Sequence, residues 1–293
     1  MARAEPVGPS SVQERVALRE LLGERYALLA SRTELLGSRL PSLRATPQDD
    51  LTPDLVALAA YQADTCGPVP RADLVRAARA GAARAGGGPG PYTPLLRCLG
   101  SGLRRLPGHY GAVMLAAPAE QVPLDRYMPG SLLVEPAPVA AVPACDADLE
   151  GTVEFGIWST AGRRMALFAG PEDEPEVVFP PGTAFSVLAL TAPADDDGPI
   201  RILLRELAPA EAQAAARPTK PGGAAASAVA RSREQDDQAR TRLTAWFARR
   251  DMLAAPDRRP LPHVTRYHVA PGGAPRQDPP PAGEPGPAPR AYP

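Results

Sequence analysis

The hydrophobic pattern gives this chain a helical first third, a strand-rich middle and a mixed end. Ser11-Val12-Gln13-Glu14 has the form of a capping box, in which the serine oxygen takes an orphan helix amide and the glutamate reaches back. Apolar residues then recur at Val12, Val16, Leu18, Leu21, Leu22, Tyr26 and Leu29, close to the helical period. The run continues through Leu35, Leu36 and Leu40 until Pro41 ends it. Thr52-Pro53-Asp54 predicts a second helix with Thr52 as N-cap and Pro53 at its first position, carrying Leu55, Leu58, Ala59 and Gln62. Pro70-Arg71-Ala72-Asp73 opens a third, Asp73 to Ala85, which Gly86-Gly87-Gly88 ends. Leu95, Leu99, Leu103 and Leu106 then mark a core-facing helix over Pro91–Leu106.

After Pro107-Gly108 the period changes. Short strand-like runs follow one another between Pro and Gly: Tyr110–Ala116, Leu132–Val134, Val139–Val142, Val153–Trp158, Val177–Phe179, Ala184–Leu190 and Ile200–Glu206. A turn is expected at Ala161–Gly162, with Ser159 and Thr160 as turn residues, and another where Pro180, Pro181 and Gly182 interrupt the apolar run. Helices followed by a run of strands predict an α+β fold. Residues 208–232 are mostly Ala, Pro and Gly and read as a linker or a weak Ala-rich helix. Arg233–Leu253 regains a helical face with Ala239, Leu243, Trp246 and Phe247, expected to dock on the core or else to present its aromatics to a partner. The resulting division is a helical segment over 1–90, a core over 91–207, the linker, a helical segment over 233–269 and a disordered Pro-rich tail over 270–293.

Composition narrows the function classes. With 44% hydrophobic residues, the 293-residue chain has enough for a core, while 38 Pro and 26 Gly predict much irregular structure. A net charge of −1 gives no field favouring nucleic acid or an anionic membrane, and no aromatic–basic interleaving suggests single-strand binding. Lys220 is the only lysine, which reflects coding bias rather than a binding role. Cys66, Cys98 and Cys145 have no CxxC spacing and read as reduced thiols of a cytoplasmic protein; neither an N-terminal apolar segment nor an 18-residue apolar run is present. His263 and His268 flank Tyr267 without a third ligand nearby, so no metal site is expected. The glycine run lacks a preceding strand and a Gly-Lys-Ser/Thr ending, which makes it a connector rather than a phosphate loop.

The candidate chemistry lies in Val153–Leu188. Glu174-Pro175-Glu176 places two carboxylates two residues apart, pointing the same way if extended. They read either as reacting groups or as part of a solvated acidic turn beside Glu172 and Asp173. Several pieces occur in order: Tyr110-Gly111-Ala112-Val113, Tyr127-Met128-Pro129-Gly130, Glu135-Pro136-Ala137-Pro138, Phe155-Gly156-Ile157-Trp158-Ser159, Gly162-Arg163, and Glu174-Pro175-Glu176-Val177 followed by Pro180-Pro181 and Phe185. Together they resemble the catalytic half of the arginine-type mono-ADP-ribosyltransferases, over roughly residues 91–207.

The resemblance implies an ADP-ribosyltransferase-like split β core behind a helical segment. It also implies three motifs: an arginine clamping the dinucleotide phosphates, a Ser-Thr-Ser run shaping the nicotinamide pocket, and a Glu-x-Glu pair. In that pair the second carboxylate stabilises an oxocarbenium-like transition state and the first orients the acceptor arginine. By resemblance, Glu176 and Glu174 are the catalytic candidates, Tyr110, Gly111 and Ser159 are the cofactor-side candidates, and NAD is the co-substrate if the chain is active. The other two motifs depart from the family. Leu115 stands at the arginine position and Ala140-Ala141-Val142 at the hydroxyl run. His109-Tyr110 is no substitute for the family's histidine–tyrosine class, whose two residues lie on different strands.

The expectation is therefore a catalytically degenerate binding or scaffold protein with a protein partner, and no nucleic acid or membrane. One alternative is an active mono-ADP-ribosyltransferase using Glu176 with Arg126, Arg163 or Arg164 as a displaced phosphate clamp. Another is an interaction module acting through the C-terminal helix and Pro-rich tail.

Overall fold

The computed structural model describes residues 8–37, 48–63, 69–83, 90–143, 145–169, 176–193, 198–215, 223–253 and 258–260. The glycine run, Glu174, the His263 and His268 pair and the Pro-rich end lie outside them.

Helix α1 (Val12–Leu22) starts on the expected capping box: Glu14 N donates to Ser11 Oγ at 3.2 Å and Ser11 N to Glu14 Oε2 at 2.7 Å. The single long helix expected here is instead two. Gly23, at φ 54°, ends α1, and α2 (Glu24–Gly37) starts in a new direction. Helix α3 (Gln48–Gln62) begins a turn before the expected start, so Thr52 and Pro53 lie inside it. The extra turn adds Leu51 to the buried face already formed by Leu55 and Leu58, which offsets the bond that Pro53 cannot make. Helix α4 (Arg71–Ala83) also starts early, because the Pro70 carbonyl accepts from the amides of both Asp73 and Leu74. Helix α5 (Thr93–Leu103) buries Leu95, Leu99 and Leu103, with Leu106 beyond its end, as their spacing predicts. Asp54 ties this bundle together: it accepts from Ser10 Oγ at 2.7 Å, Ser101 Oγ at 2.6 Å and Arg105 Nε at 3.1 Å. A carboxylate so deeply buried is tolerable only with such a set of donors.

The strands are β1 (Gly108–Ala117), β2 (Leu132–Glu135), β3 (Val139–Ala141), β5 (Val153–Arg164), β6 (Val177–Phe179), β7 (Thr183–Thr191) and β8 (Ile200–Glu206), with the two-residue β4 (Ala147–Asp148) and β9 (Arg259–Pro260) forming a separate pair. The main sheet runs β2-β7-β8-β5-β6-β3, and β1 pairs antiparallel with β5. The strands expected from the hydrophobic pattern are all present, and the fold is α+β. Gly182, at φ 85°, takes the turn that Pro180 and Pro181 impose before β7.

The turn expected at Ala161–Gly162 is absent. Strand β5 continues through it to Arg164, since Glu206 Oε2 accepts from the amides of Thr160 (2.7 Å), Ala161 (2.7 Å) and Gly162 (3.1 Å) and from Ser159 Oγ (3.1 Å). A carboxylate from the neighbouring strand satisfies these amides, so the chain has no need to turn there.

Alternation along β1 and β5 sorts the core into two layers. Val113, Leu115, Ala117, Val153, Phe155 and Ile157 face one cluster, shared with Tyr127, Phe179 and Phe185. Met114 and Ala116 face another, under α7 (Gly223–Asp251). That helix starts ten residues before Arg233, inside the segment read as a linker or a weak Ala-rich helix. Ala239, Leu243, Trp246 and Phe247 are all buried against the sheet. The docked arrangement is the one the molecule adopts, and the aromatic pair is not presented outward. Two arginines pin the helix to the sheet. Arg205 of β8 bonds Asp236 at 2.6 Å, and Arg250 of α7 bonds Glu154 at 3.1 Å and the carbonyls of Cys145 and Ala147. The short helix α6 (Pro209–Ala215) supplies Glu211 to the same Arg205 at 2.7 Å.

Candidate functional site

Glu176 stands immediately before β6, where Arg164 of β5 pairs with Val177, and its carbonyl accepts from Met165 N at 2.8 Å. Only 5% of it is exposed. Its Oε1 accepts from Arg71 Nη1 at 2.9 Å, while Oε2 has no hydrogen-bond partner among the described residues. Arg71 is the first residue of α4. It is as buried as the glutamate, and its guanidinium lies 4.2 Å from the centroid of the Tyr61 ring. Its Nε donates to the Tyr61 carbonyl at 2.8 Å and its Nη2 to Gln62 Oε1 at 3.4 Å, so both residues that cradle it come from the end of α3. The retained carboxylate is therefore held by an arginine of this chain's own helical segment.

Eight residues further along the same helix, a similar arrangement recurs. Glu135 at the end of β2 is fully buried and takes a two-pronged bond from Arg79 of α4, Nε to Oε1 at 3.2 Å and Nη2 to Oε2 at 3.1 Å. Ala137 N adds a third donor at 2.9 Å. Burial pushes the nearby Tyr127 hydroxyl well above its usual range, and the charge of Glu135 pushes it the same way.

The positions that the resemblance assigns to the other two motifs are interior. Leu115 is fully buried in the cluster with Ala141 and Phe179. Ala140 packs against the helical cluster with Met165 and Val178, and Val142 packs under α7 with Met114, whose backbone it bonds in both directions at 2.8 Å. None of the four offers a polar side-chain atom. Replacing a charge-assisted phosphate contact with such a wall forfeits about 1.5–3 kcal/mol for each bond lost.

Among the described residues, the hydrogen bonds of the cofactor-side candidates go to groups other than Glu176. Gly111 and Ser159 are register partners, and Ser159 is five residues along β5 from the Arg164–Val177 pair. The Ser159 hydroxyl is buried and committed to the His109 carbonyl and Glu206, with the Gly162 amide donating to it in turn. Tyr110 is displaced by an irregularity in the β1 register and is mostly exposed. It meets Trp158 edge-on at 5.5 Å, and its hydroxyl accepts from Arg242 Nη1 at 3.2 Å. His109 faces the other way and is buried; desolvation, aided by Arg164, holds its pKa below the usual histidine value.

Of the arginines considered as substitutes, Arg163 donates from Nη1 to the Leu106 carbonyl at 3.1 Å, a structural role, and Arg126 and Arg164 are exposed. Sequence reasoning missed Arg71, Arg79, Glu135 and Tyr61. Pro-Arg-Ala-Asp reads only as a helix start, and no local spacing announces a partner 105 residues away.

No family model matches the chain. It is 33% identical over 93 residues to Mav of Mycobacterium avium, a protein to which NAD(+)–arginine ADP-ribosyltransferase activity is ascribed; the match takes in 30% of this chain and only 11% of Mav. Among solved structures it is similar to the type III effector XopAI of Xanthomonas axonopodis pv. citri, with a TM-score of 0.55 and 24% identity over 68% of this chain and 85% of that one. It is also similar to the ADP-ribosyltransferase HopU1 of Pseudomonas syringae pv. Tomato DC3000, with a TM-score of 0.53 and 15% identity over 68% and 99% of the two chains. The chain carries the ADP-ribosyltransferase fold, as the resemblance implied.

Proposed function

We propose that this chain is a catalytically silent member of the ADP-ribosyltransferase fold that serves as a binding or scaffold protein for another protein. The observation that carries the reading is the state of Glu176. Its carboxylate is buried and paired with Arg71, and Leu115, Ala140, Ala141 and Val142, at the positions the resemblance assigns to the other two motifs, are apolar and buried. A buried ion pair is costly to separate, because each charge left behind loses its partner without gaining full hydration. Ribose hydroxyls would have to displace Arg71, and the pyrophosphate would find leucine where the family has a guanidinium.

Calorimetric titration with NAD tests this directly. The expected result is no heat beyond dilution at millimolar NAD, and clear micromolar binding overturns the reading.

A second reading is favoured by the retained Glu176 and by the likeness to Mav: an active transferase in which NAD is the co-substrate and Glu176 the catalytic residue. It requires label to pass from NAD to an arginine-bearing protein and that transfer to vanish in Glu176→Ala. Transfer that survives the substitution removes Glu176 from the chemistry.

A further inference from the structure

We infer that α4 is an internal latch: Arg71 and Arg79 hold it closed over Glu176 and Glu135, and it lifts from the sheet as a unit while the rest of the fold stays intact. The inference goes beyond the silent-fold reading, since a latch of this kind would close over an active or an inactive carboxylate alike.

Three observations carry it. First, α4 has little apolar anchorage. Its sequence is RADLVRAARAGAA, and apart from Arg71 only Leu74 and Val75 among its described side chains are buried; a Cβ on Gly81 would meet nothing within 4 Å. The helices on either side in sequence differ sharply. In α3 nearly every residue from Leu51 to Tyr61 is buried, and α5 buries Leu95, Cys98, Leu99 and Leu103.

Second, the fastening is electrostatic and falls at two points eight residues apart on the helix. Arg71 reaches the residue before β6, and Arg79 reaches the end of β2. Opening would return two guanidinium groups and two carboxylates to water, which recovers hydration that the closed state gives up. A helix held by leucines recovers nothing of that kind. Local stability therefore falls below that of the flanking helices, the condition for an opening smaller than global unfolding.

Third, the closed state leaves one carboxylate oxygen unserved. Glu176 Oε2 is buried without a partner among the described residues, so Arg71 satisfies only half of the group it covers. Lifting α4 exposes Glu176 and Glu135 together, a pair of acidic groups that the closed protein hides.

Hydrogen exchange of the full chain, read by mass spectrometry, tests the latch. In the wild type, α4 amides should exchange faster than those of α5 and β5, with the weak denaturant dependence of a small opening. In the Arg71→Met/Arg79→Met double variant, α4 exchange should rise on the order of 100-fold and keep that weak denaturant dependence. Protection of α4 equal to that of α5 in the wild type overturns the inference, as does a double variant whose α4 amides exchange no faster than those of the wild type. If the double variant does not fold, the wild-type comparison decides. Neither result bears on the NAD titration, so the two readings fail separately.

Discussion

Replacing Gly156 by alanine should loosen the docking of α7, and the size of the effect can be worked from the contact. A Cβ at 156 would lie 2.4 Å from Phe247 Cε2, 3.1 Å from its Cζ and 3.2 Å from Leu203 Cδ2. Carbon atoms in a packed interior sit about 3.5–4.0 Å apart, so the ring must retreat by roughly 1 Å or more. It has little room to do so. Trp246 meets it edge-on at 5.1 Å, and the Arg201 guanidinium, itself bonded to Glu154, covers it at 4.6 Å. Overpacking of this kind costs about 1–3 kcal/mol. Removing the ring, in Phe247→Ala, costs about 3–5 kcal/mol. The informative quantity is the double variant: with the ring gone, Gly156→Ala should cost little, giving a coupling of about 1–3 kcal/mol. Urea unfolding followed by tryptophan fluorescence suits the measurement, because the protein's two tryptophans, Trp158 and Trp246, flank the contact. Equal cost of Gly156→Ala in both backgrounds would refute the argument that the glycine exists to admit Phe247.

Glu206→Ala should destabilise the fold by on the order of 2 kcal/mol, since the Thr160 and Ala161 amides lose their acceptor, while Ser159 Oγ keeps the His109 carbonyl and the Gly162 amide keeps Ser159 Oγ; a melting temperature unchanged from the wild type would deny Glu206 that role. His109 has a folded-state pKa below its unfolded value, so the unfolded chain binds the proton first. Stability should therefore be complete above about pH 6.5 and fall as pH drops below it, a slope that His109→Gln should reduce in urea titrations at stepped pH. Burial, with Asp54 adding to it, pushes the Cys98 thiol up to about 12, so iodoacetamide at pH 8 should leave it unmodified in the folded protein and alkylate it in denaturant; peptide mapping after labelling reads this.

Much of the architecture was legible along the chain because it rests on short-range causes. The Ser11 to Glu14 capping box, the Leu95–Leu106 helical stripe and the strand runs from Tyr110 to Glu206 all follow from local sterics and from which positions must leave water. The order of those runs also carried the likeness to the ADP-ribosyltransferase fold. The errors came where a distant group overrode local preference. Ala161-Gly162 reads as a turn until Glu206 supplies its amides with an acceptor, and Thr52-Pro53 reads as a helix start until Leu51 finds the core.

The meaning of Glu176 belongs to the same second class. Its presence is a matter of sequence, but its state depends on Arg71, which approaches from a helix 105 residues earlier. Periodicity reports which face of an element is apolar; it carries no information about which charge on another element that face will meet. Only the assembled layers bring α4 to β2 and β6, and only there do Arg71 and Arg79 meet the two buried carboxylates.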